Sequence, residues 1–113
     1  AGLSMGAMQT RVITLANSHL FSYVGMFSGG SITIEDIKDN PKFKENNKLY
    51  FISFGSKEVE SRRYNFGKNP VVSVKELKDA GINVHYYVSP NTDHEWQTWR
   101  RSLYQFAQVL FKN

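Results

Sequence analysis

The sequence predicts an α/β fold, with a mostly parallel sheet flanked by helices. Two observations support this prediction. Short apolar segments rich in β-branched and aromatic residues alternate with segments of helical periodicity along the 113 residues, a pattern typical of parallel strands joined by helices. The segment LYFISF, residues 49–54, is apolar at nearly every position. Such a run is expected for a strand that is covered on both faces.

The strands are predicted at 21–27, 49–54 and 82–88, and the helices at 8–16, 32–38, 72–80 and 95–111. Residues 1–6 form a glycine-flanked turn, 38–48 a connection, and 55–69 a loop with or without irregular helix. Ser73 is a possible N-cap of the third helix, and Gly81 is its predicted stop. Two helices show apolar residues at helical spacing: Met8, Val12, Leu15 and Ala16 in the first, and Trp99, Leu103, Phe106, Val109 and Leu110 in the last.

Composition excludes several classes of function. The formal net charge is +4, but the basic residues occur as isolated pairs, which disfavours nucleic-acid binding. No apolar run approaches the roughly 18 residues that cross a bilayer. The absence of cysteine excludes disulfides and thiolate metal sites, and no two histidines have a metal-ligand spacing. No metal and no cofactor are therefore expected.

Residues 2–6, GLSMG, match G-x-S-x-G, the motif of a serine nucleophile on a strained turn between a strand and a helix. In this arrangement Ser4 exposes its hydroxyl, and the Met5 backbone N–H points at a developing oxyanion. The alternative interpretation is a glycine-rich helix start capped by Ser4. The helical pattern that follows the motif favours the nucleophile.

A serine nucleophile needs a base, and His94 is the best candidate because it lies in a turn-rich loop after the last predicted strand. His19 is expected near the end of the first helix, and His85 lies inside a strand. The base in turn needs a carboxylate to orient it. Glu58, just after the LYFISF strand, ranks first, and Glu60 ranks second. Asp93 ranks third, since adjacent residues rarely point at each other.

The segments AGLSMGAMQT, FSYVGMFSGG, LYFISFGSKE, KDAGINVHYYVSP and HEWQTWRRSLYQFAQVLF resemble the esterase D-like hydrolases of the α/β-hydrolase fold. Within these, the chain is most similar to the bacterial feruloyl and acetyl-xylan esterases of carbohydrate esterase family 1. The resemblance implies Ser4 as nucleophile, His94 as base and Glu58 as acid, where the family usually has aspartate. The chain also has Ala7 where the family usually has a second glycine after the motif. A secreted or periplasmic location follows from the resemblance alone, since the chain shows no signal peptide.

Members of this family are about twice as long, so residues 1–113 are expected to be the C-terminal portion of an α/β-hydrolase domain. The missing N-terminal half would carry the first strands and the second oxyanion N–H. The expected function is removal of feruloyl or acetyl esters from plant xylan through an acyl-serine, with Trp96, Trp99 and Tyr87 as a possible aromatic wall. Trp96 is the preferred substrate contact, because Trp99 is more readily explained by core packing.

Two other hypotheses remain. The chain is a catalytically incompetent fragment that associates with itself or with its missing half, or it is a carbohydrate-binding module. The second rests only on the 14% aromatic content and has no use for an ordered serine, acid and histidine. The sequence does not distinguish feruloyl from acetyl esters.

Overall fold

The computed structural model describes residues 1–64 and 69–111. Its four strands are β1 (Gly2–Leu3), β2 (Tyr23–Phe27), β3 (Leu49–Gly55) and β4 (Val84–Ser89). They form one sheet in the order β1-β2-β3-β4, and every neighbouring pair is parallel. The predicted α/β fold is confirmed, and the sheet has one strand more than predicted, because two residues before Ser4 pair with β2.

The helices are α1 (Met5–Ala16), α2 (Ile34–Ile37), α3 (Phe43–Asn46), α4 (Ser56–Glu60), α5 (Pro70–Asp79) and α6 (Trp96–Val109), with a 3₁₀ turn at Ser18–Leu20. Two short helices fall in segments predicted as connections: α3 within 38–48 and α4 within 55–69. Residues 65–68 of the second segment lie outside the described residues. Within the described ranges, no helix has the length and apolar character needed to cross a membrane.

Strand β3 lies at the centre of the molecule, and all seven of its residues are buried. Tyr50, Ile52 and Phe54 join the core cluster that also contains side chains of α1, α3 and α5. Leu49 and Phe51 point to the other face, where they pack with Phe106 of α6. The LYFISF run is therefore apolar because helices cover both faces of the strand.

Helix α6 buries small polar side chains at two turns of its inner face. Thr98, Ser102 and Phe106 are its buried residues, spaced four apart. Ser102 Oγ lies 2.7 Å from Ser53 Oγ of β3, so small hydroxyl side chains let the helix approach the sheet closely. Leu103, predicted on this face, is 57% exposed. That prediction was wrong because the buried stripe includes serine and threonine, which an apolar pattern does not detect.

Helix α1 shows a similar difference. Its buried residues are Ala7 and Thr14, and Leu15 packs against the core as predicted. Thr14 is accommodated because its hydroxyl donates to the Thr10 carbonyl at 2.7 Å. Val12 was predicted on the buried face but is 60% exposed, so α1 carries apolar side chains on its outer face as well.

Helix α5 begins two residues before its predicted start. Asn69 is the N-cap, and its side chain accepts from the Val71 backbone N–H at 2.9 Å. Ser73, the predicted cap, lies inside the helix and is fully buried. Pro70 at the first helical position explains the earlier start, since its fixed φ suits that position. Helix α5 ends just before Gly81, as predicted. Gly81 has a φ of +87°, a conformation that favours glycine.

His85 provides a pH-dependent contribution to stability. Its ring stacks on Phe51 of β3, with centroids 5.3 Å apart. Burial, and then the positive charge of Lys78, lower the pKa of His85 below its ordinary value of 6.5. The unfolded chain therefore binds this proton at a higher pH than the folded chain does. The stability contribution is present above pH 6.5 and declines as the pH falls toward the lower, folded pKa.

We expect His85→Phe, which preserves the ring stack, to reduce this pH dependence. Urea denaturation at pH 7.5 and pH 5.5 measures it. The free energy of unfolding should fall less between the two pH values in the variant than in the wild type. Equal losses in both proteins would contradict the assignment.

Candidate active site

Four loops meet at the carboxyl edge of the sheet, because all four strands run parallel. Ser4 follows β1, Ser28 follows β2, Glu58 lies in the helix after β3, and His94 lies in the loop after β4. Backbone hydrogen bonds extend the pairing beyond the strands: Ser4 N–H donates to Phe27 O, and Ser28 N–H donates to Ser53 O, each at 2.8 Å. In open parallel sheets, ligands bind at this edge.

Ser4 occupies a strained turn between β1 and α1. Its φ of 55° and ψ of −124° lie in a region that non-glycine residues rarely adopt. Its side chain makes no capping bond to the helix, so the alternative role as a helix cap is not what this geometry shows. The hydroxyl is directed instead at His94, with Oγ 2.8 Å from Nε2.

The two glycines of the motif have different surroundings. A Cβ at Gly2 would lie 2.3 Å from the Gly6 carbonyl oxygen and 2.6 Å from Thr10 Oγ1, so the turn closes only around glycine. A Cβ at Gly6 would meet nothing within 4 Å. The backbone at Gly2 therefore packs too closely against α1 for any side chain, whereas the described residues leave room for one at Gly6.

Met5 is the first residue of α1, where a backbone N–H has no acceptor within its own helix. This N–H follows the Ser4 turn directly and sits at the positive end of the helix dipole. The Met5 N–H thus lies next to Ser4 at a helix start, which favours an anion. The Met5 side chain is exposed.

His94 connects Ser4 to a carboxylate. Its Nδ1 lies 2.9 Å from Glu58 Oε2. An ionised carboxylate only accepts, so this contact suits a ring with its proton on Nδ1, in which Nε2 accepts from the Ser4 hydroxyl. The ring also meets Trp99 edge-on, with centroids 5.1 Å apart. About a third of the His94 side chain, 33%, is exposed.

Glu58 is fully buried, and each of its carboxylate oxygens has a partner. Oε1 accepts from Ser28 Oγ at 2.7 Å and from the Gly55 backbone N–H at 2.9 Å. Oε2 faces His94. Glu58 is also the third residue of α4, where the helix dipole favours a negative charge. Glutamate fits this position because its length lets it reach back to the start of its own helix and across to His94.

The other predicted candidates lie elsewhere. Glu60 is exposed, and Asp93 Oδ1 accepts from the His94 backbone N–H at 2.9 Å rather than from the imidazole. Trp96 is 70% exposed on the first turn of α6 and does not line the cavity at Ser4. His19 lies in the 3₁₀ turn after α1, close to its predicted place.

A cavity of about 300 Å³ opens at Ser4 and is lined by Ser4, Met5, Met8, Arg63 and His94. Arg63 and Ser28 were not predicted from the sequence. Arg63 reaches the site from the turn after α4, where its guanidinium lies 3.7 Å from Asp93. No sequence signal marked it. Ser28 had a signal, since it follows the strand next to β1 and precedes two glycines.

Within residues 1–64 and 69–111, no three histidine, aspartate or glutamate side chains come together in a way that could hold a metal ion. The chemistry available at this edge is that of a hydroxyl, an imidazole and a buried carboxylate. A positioned base next to a hydroxyl activates the oxygen for nucleophilic attack.

No protein-family model matches the chain. In sequence it is similar to an endo-1,4-beta-xylanase/feruloyl esterase of Xylanibacter ruminicola, with 46% identity over 112 residues. The match covers 99% of this chain and 14% of that protein, so the chain spans about one seventh of its relative's length. The similarity relates the chain to one region of that protein, and membership of the esterase D-like family stays a prediction.

The two motif glycines offer a matched pair of variants. We expect Gly2→Ala to destabilise the chain, because its Cβ would overlap the Gly6 carbonyl. Gly6→Ala should stabilise it by about 0.5–1 kcal/mol, since alanine is the better helix former and the space is open. Urea denaturation of both variants measures this. Equal stability of Gly2→Ala and wild type would contradict the close approach at the turn.

Proposed function

We propose that this chain belongs to a serine esterase that cleaves carboxylic esters through an acyl-serine. One observation carries the proposal: the continuous set of contacts from Ser4 Oγ to His94 Nε2, and from His94 Nδ1 to the buried Glu58. The chain order serine, acid, histidine is that of α/β-hydrolases. The similarity to a protein named as a xylanase and feruloyl esterase supports the same chemistry.

In the proposed reaction, His94 takes the Ser4 proton while Oγ attacks the ester carbonyl carbon. The carbonyl oxygen becomes an oxyanion, which the Met5 N–H stabilises. His94 then gives the proton to the leaving alcohol oxygen, and the acyl group remains on Ser4. Water then gives a proton to His94 while its oxygen attacks the acyl carbon. The bond between that carbon and Ser4 Oγ breaks, and His94 returns the proton to Oγ, which releases the carboxylic acid and free Ser4. Glu58 keeps the ring oriented and stabilises its charged form.

The proposed substrates are feruloyl or acetyl esters of plant xylan. The relative's name supports xylan and the feruloyl ester. The cavity also offers thioether side chains, Met5 and Met8, beside Ser4, and sulfur makes favourable contacts with aromatic rings such as that of ferulate. Trp96 remains a proposed contact for a more distant part of the substrate. A secreted or periplasmic location would place the enzyme with this polymer.

We further propose that the described sheet is part of a larger one. Strand β1 is two residues long and pairs only through Gly2 and Leu3, so its outer edge offers backbone groups to another strand. The outer face of α1 carries an apolar groove of about 410 Å³, lined by Met5, Met8, Gln9, Val12 and Ile13. The rest of an esterase domain would cover both, and would supply the second oxyanion donor.

Labelling with diisopropyl fluorophosphate tests the activated serine in this chain. We expect one equivalent of label on Ser4, located by mass spectrometry. Ser4→Ala and His94→Ala should abolish labelling, the first by removing the attacking oxygen and the second by removing its base. Labelling that persists in Ser4→Ala, or wild-type protein that does not react, would contradict the proposal for this chain.

The role of Glu58 is tested in a longer protein that carries the whole esterase domain. Turnover of methyl ferulate, acetylated xylan and short p-nitrophenyl esters identifies the acyl group. Glu58→Gln should lower kcat by about 10⁴-fold, because an amide does not hold the ring in the required tautomer. The exposed Glu60→Gln is the matched control and should retain wild-type turnover. Near-normal turnover by Glu58→Gln would exclude Glu58 as the acid.

The second candidate, an incompetent fragment that associates with itself, is favoured by the exposed apolar groove on α1. Sedimentation of the chain at tens of micromolar should show dimers or larger species. The double variant Val12→Lys and Ile13→Lys should shift the chain toward monomer, because like charges would meet across the contact. A compact wild-type monomer at these concentrations would contradict both the association and the need for a covering partner.

A further inference from the structure

We propose that Ser28 is a positioning residue for the reaction, and that its hydroxyl fixes which oxygen of Glu58 faces His94. This inference rests on the proposed function, since it assigns Ser28 a role through the Glu58 and His94 pair. Ser28 does not touch the cavity at Ser4. It acts on the far side of the carboxylate.

The hydrogen bonds divide the carboxylate into two differently bound oxygens. Oε1 receives two donors, the Ser28 hydroxyl and the Gly55 N–H, while Oε2 receives Nδ1–H of His94. Rotation about the last torsion of a glutamate is otherwise broad. Two donors converging on Oε1 from β2 and β3 restrict this rotation. The plane of the carboxylate is then set by the sheet itself.

Burial makes the Ser28 hydroxyl hard to replace. Ser28 is 2% exposed and Glu58 is fully buried, so solvent has little access to the bond between them. Loss of the hydroxyl would leave Oε1 with the Gly55 N–H alone. A buried carboxylate oxygen that lacks a donor is unfavourable, and the carboxylate would be less restrained in the plane that it presents to His94.

Backbone strain indicates that Ser28 serves through its hydroxyl. Its φ is 56°, in the left-handed region where glycine is favoured. The following residues, Gly29 and Gly30, are both glycine. A backbone requirement alone would be met better by a third glycine. The strain is instead tolerated at the one position of this turn whose side chain reaches Glu58.

The test separates these two explanations with Ser28→Gly. Glycine relieves the backbone strain, which stabilises the fold, and removes a donor to a buried carboxylate, which destabilises it, so the urea midpoint should change little. The rate constant of Ser4 labelling by diisopropyl fluorophosphate at saturation should nevertheless fall by about 10- to 100-fold, with little change in the half-saturating concentration. The proton resonance of His94 Nδ1–H in the NMR spectrum should shift or broaden, because its acceptor is no longer fixed.

Ser31→Ala is the matched control. Ser31 is a buried serine of the same loop, 4% exposed, whose hydroxyl donates to the Ile32 carbonyl and not to the site. Its variant should keep the wild-type labelling rate and the wild-type His94 resonance, whatever its stability.

An unchanged His94 resonance and labelling rate in Ser28→Gly would overturn the inference and leave the proposed esterase standing. Slower labelling explained by global unfolding, with an unchanged His94 resonance in the folded protein, would also overturn it, since that is the result of a merely structural role. Failure of the proposed function looks different: label would persist in Ser4→Ala, or the wild type would not react. If the wild type does not react, comparing the His94 resonance of Ser28→Gly with that of the wild type decides the role of Ser28.

Discussion

The parallel pairing of four consecutive strands is the constraint on which the rest of the structure depends. Each strand delivers its carboxyl end to the same edge, and backbone bonds such as Ser4 N to Phe27 O hold the loops in register past the last paired residues. Ser4 and His94 are 90 positions apart in the chain, yet their side chains meet because β1 to β4 form one sheet. A shift of register in either outer strand would separate them, so the geometry of the site is a property of the sheet.

The buried carboxylate of Glu58 is the second requirement. An isolated ionised carboxylate in a protein interior is unfavourable by several kcal/mol, and here three donors offset that penalty: the Ser28 hydroxyl, the Gly55 N–H and the His94 ring. Each donor comes from a different strand or the loop that follows it. The polar centre therefore ties β2, β3 and the loop after β4 together, at the edge where apolar packing ends. Structure and chemistry depend on the same hydrogen bonds.

The sequence was most informative where local chemistry decides the conformation. The G-x-S-x-G turn, the LYFISF strand and the Gly81 stop are each dictated by a few adjacent residues, and the structure has all three in place. Burial was predicted less well. Val12 and Leu103 are apolar and exposed, while Thr14, Ser102 and Glu58 are polar and buried, because each finds hydrogen-bond partners inside the fold. Arg63 escaped notice because its neighbours at the site come from other loops and no short pattern encodes them, whereas Ser28 was missed although it follows a predicted strand and precedes two glycines.

The strand order has a consequence for how the molecule assembles during synthesis. Because spatial order equals chain order among the described strands, each strand made after β1 pairs with the one made just before it. His94 follows the last strand. A nascent chain that ends before β4 already contains the strained serine turn and the acidic residue, but it has no base. In the proposed esterase, Ser4 would therefore gain its base only once β4 and the loop after it are in place.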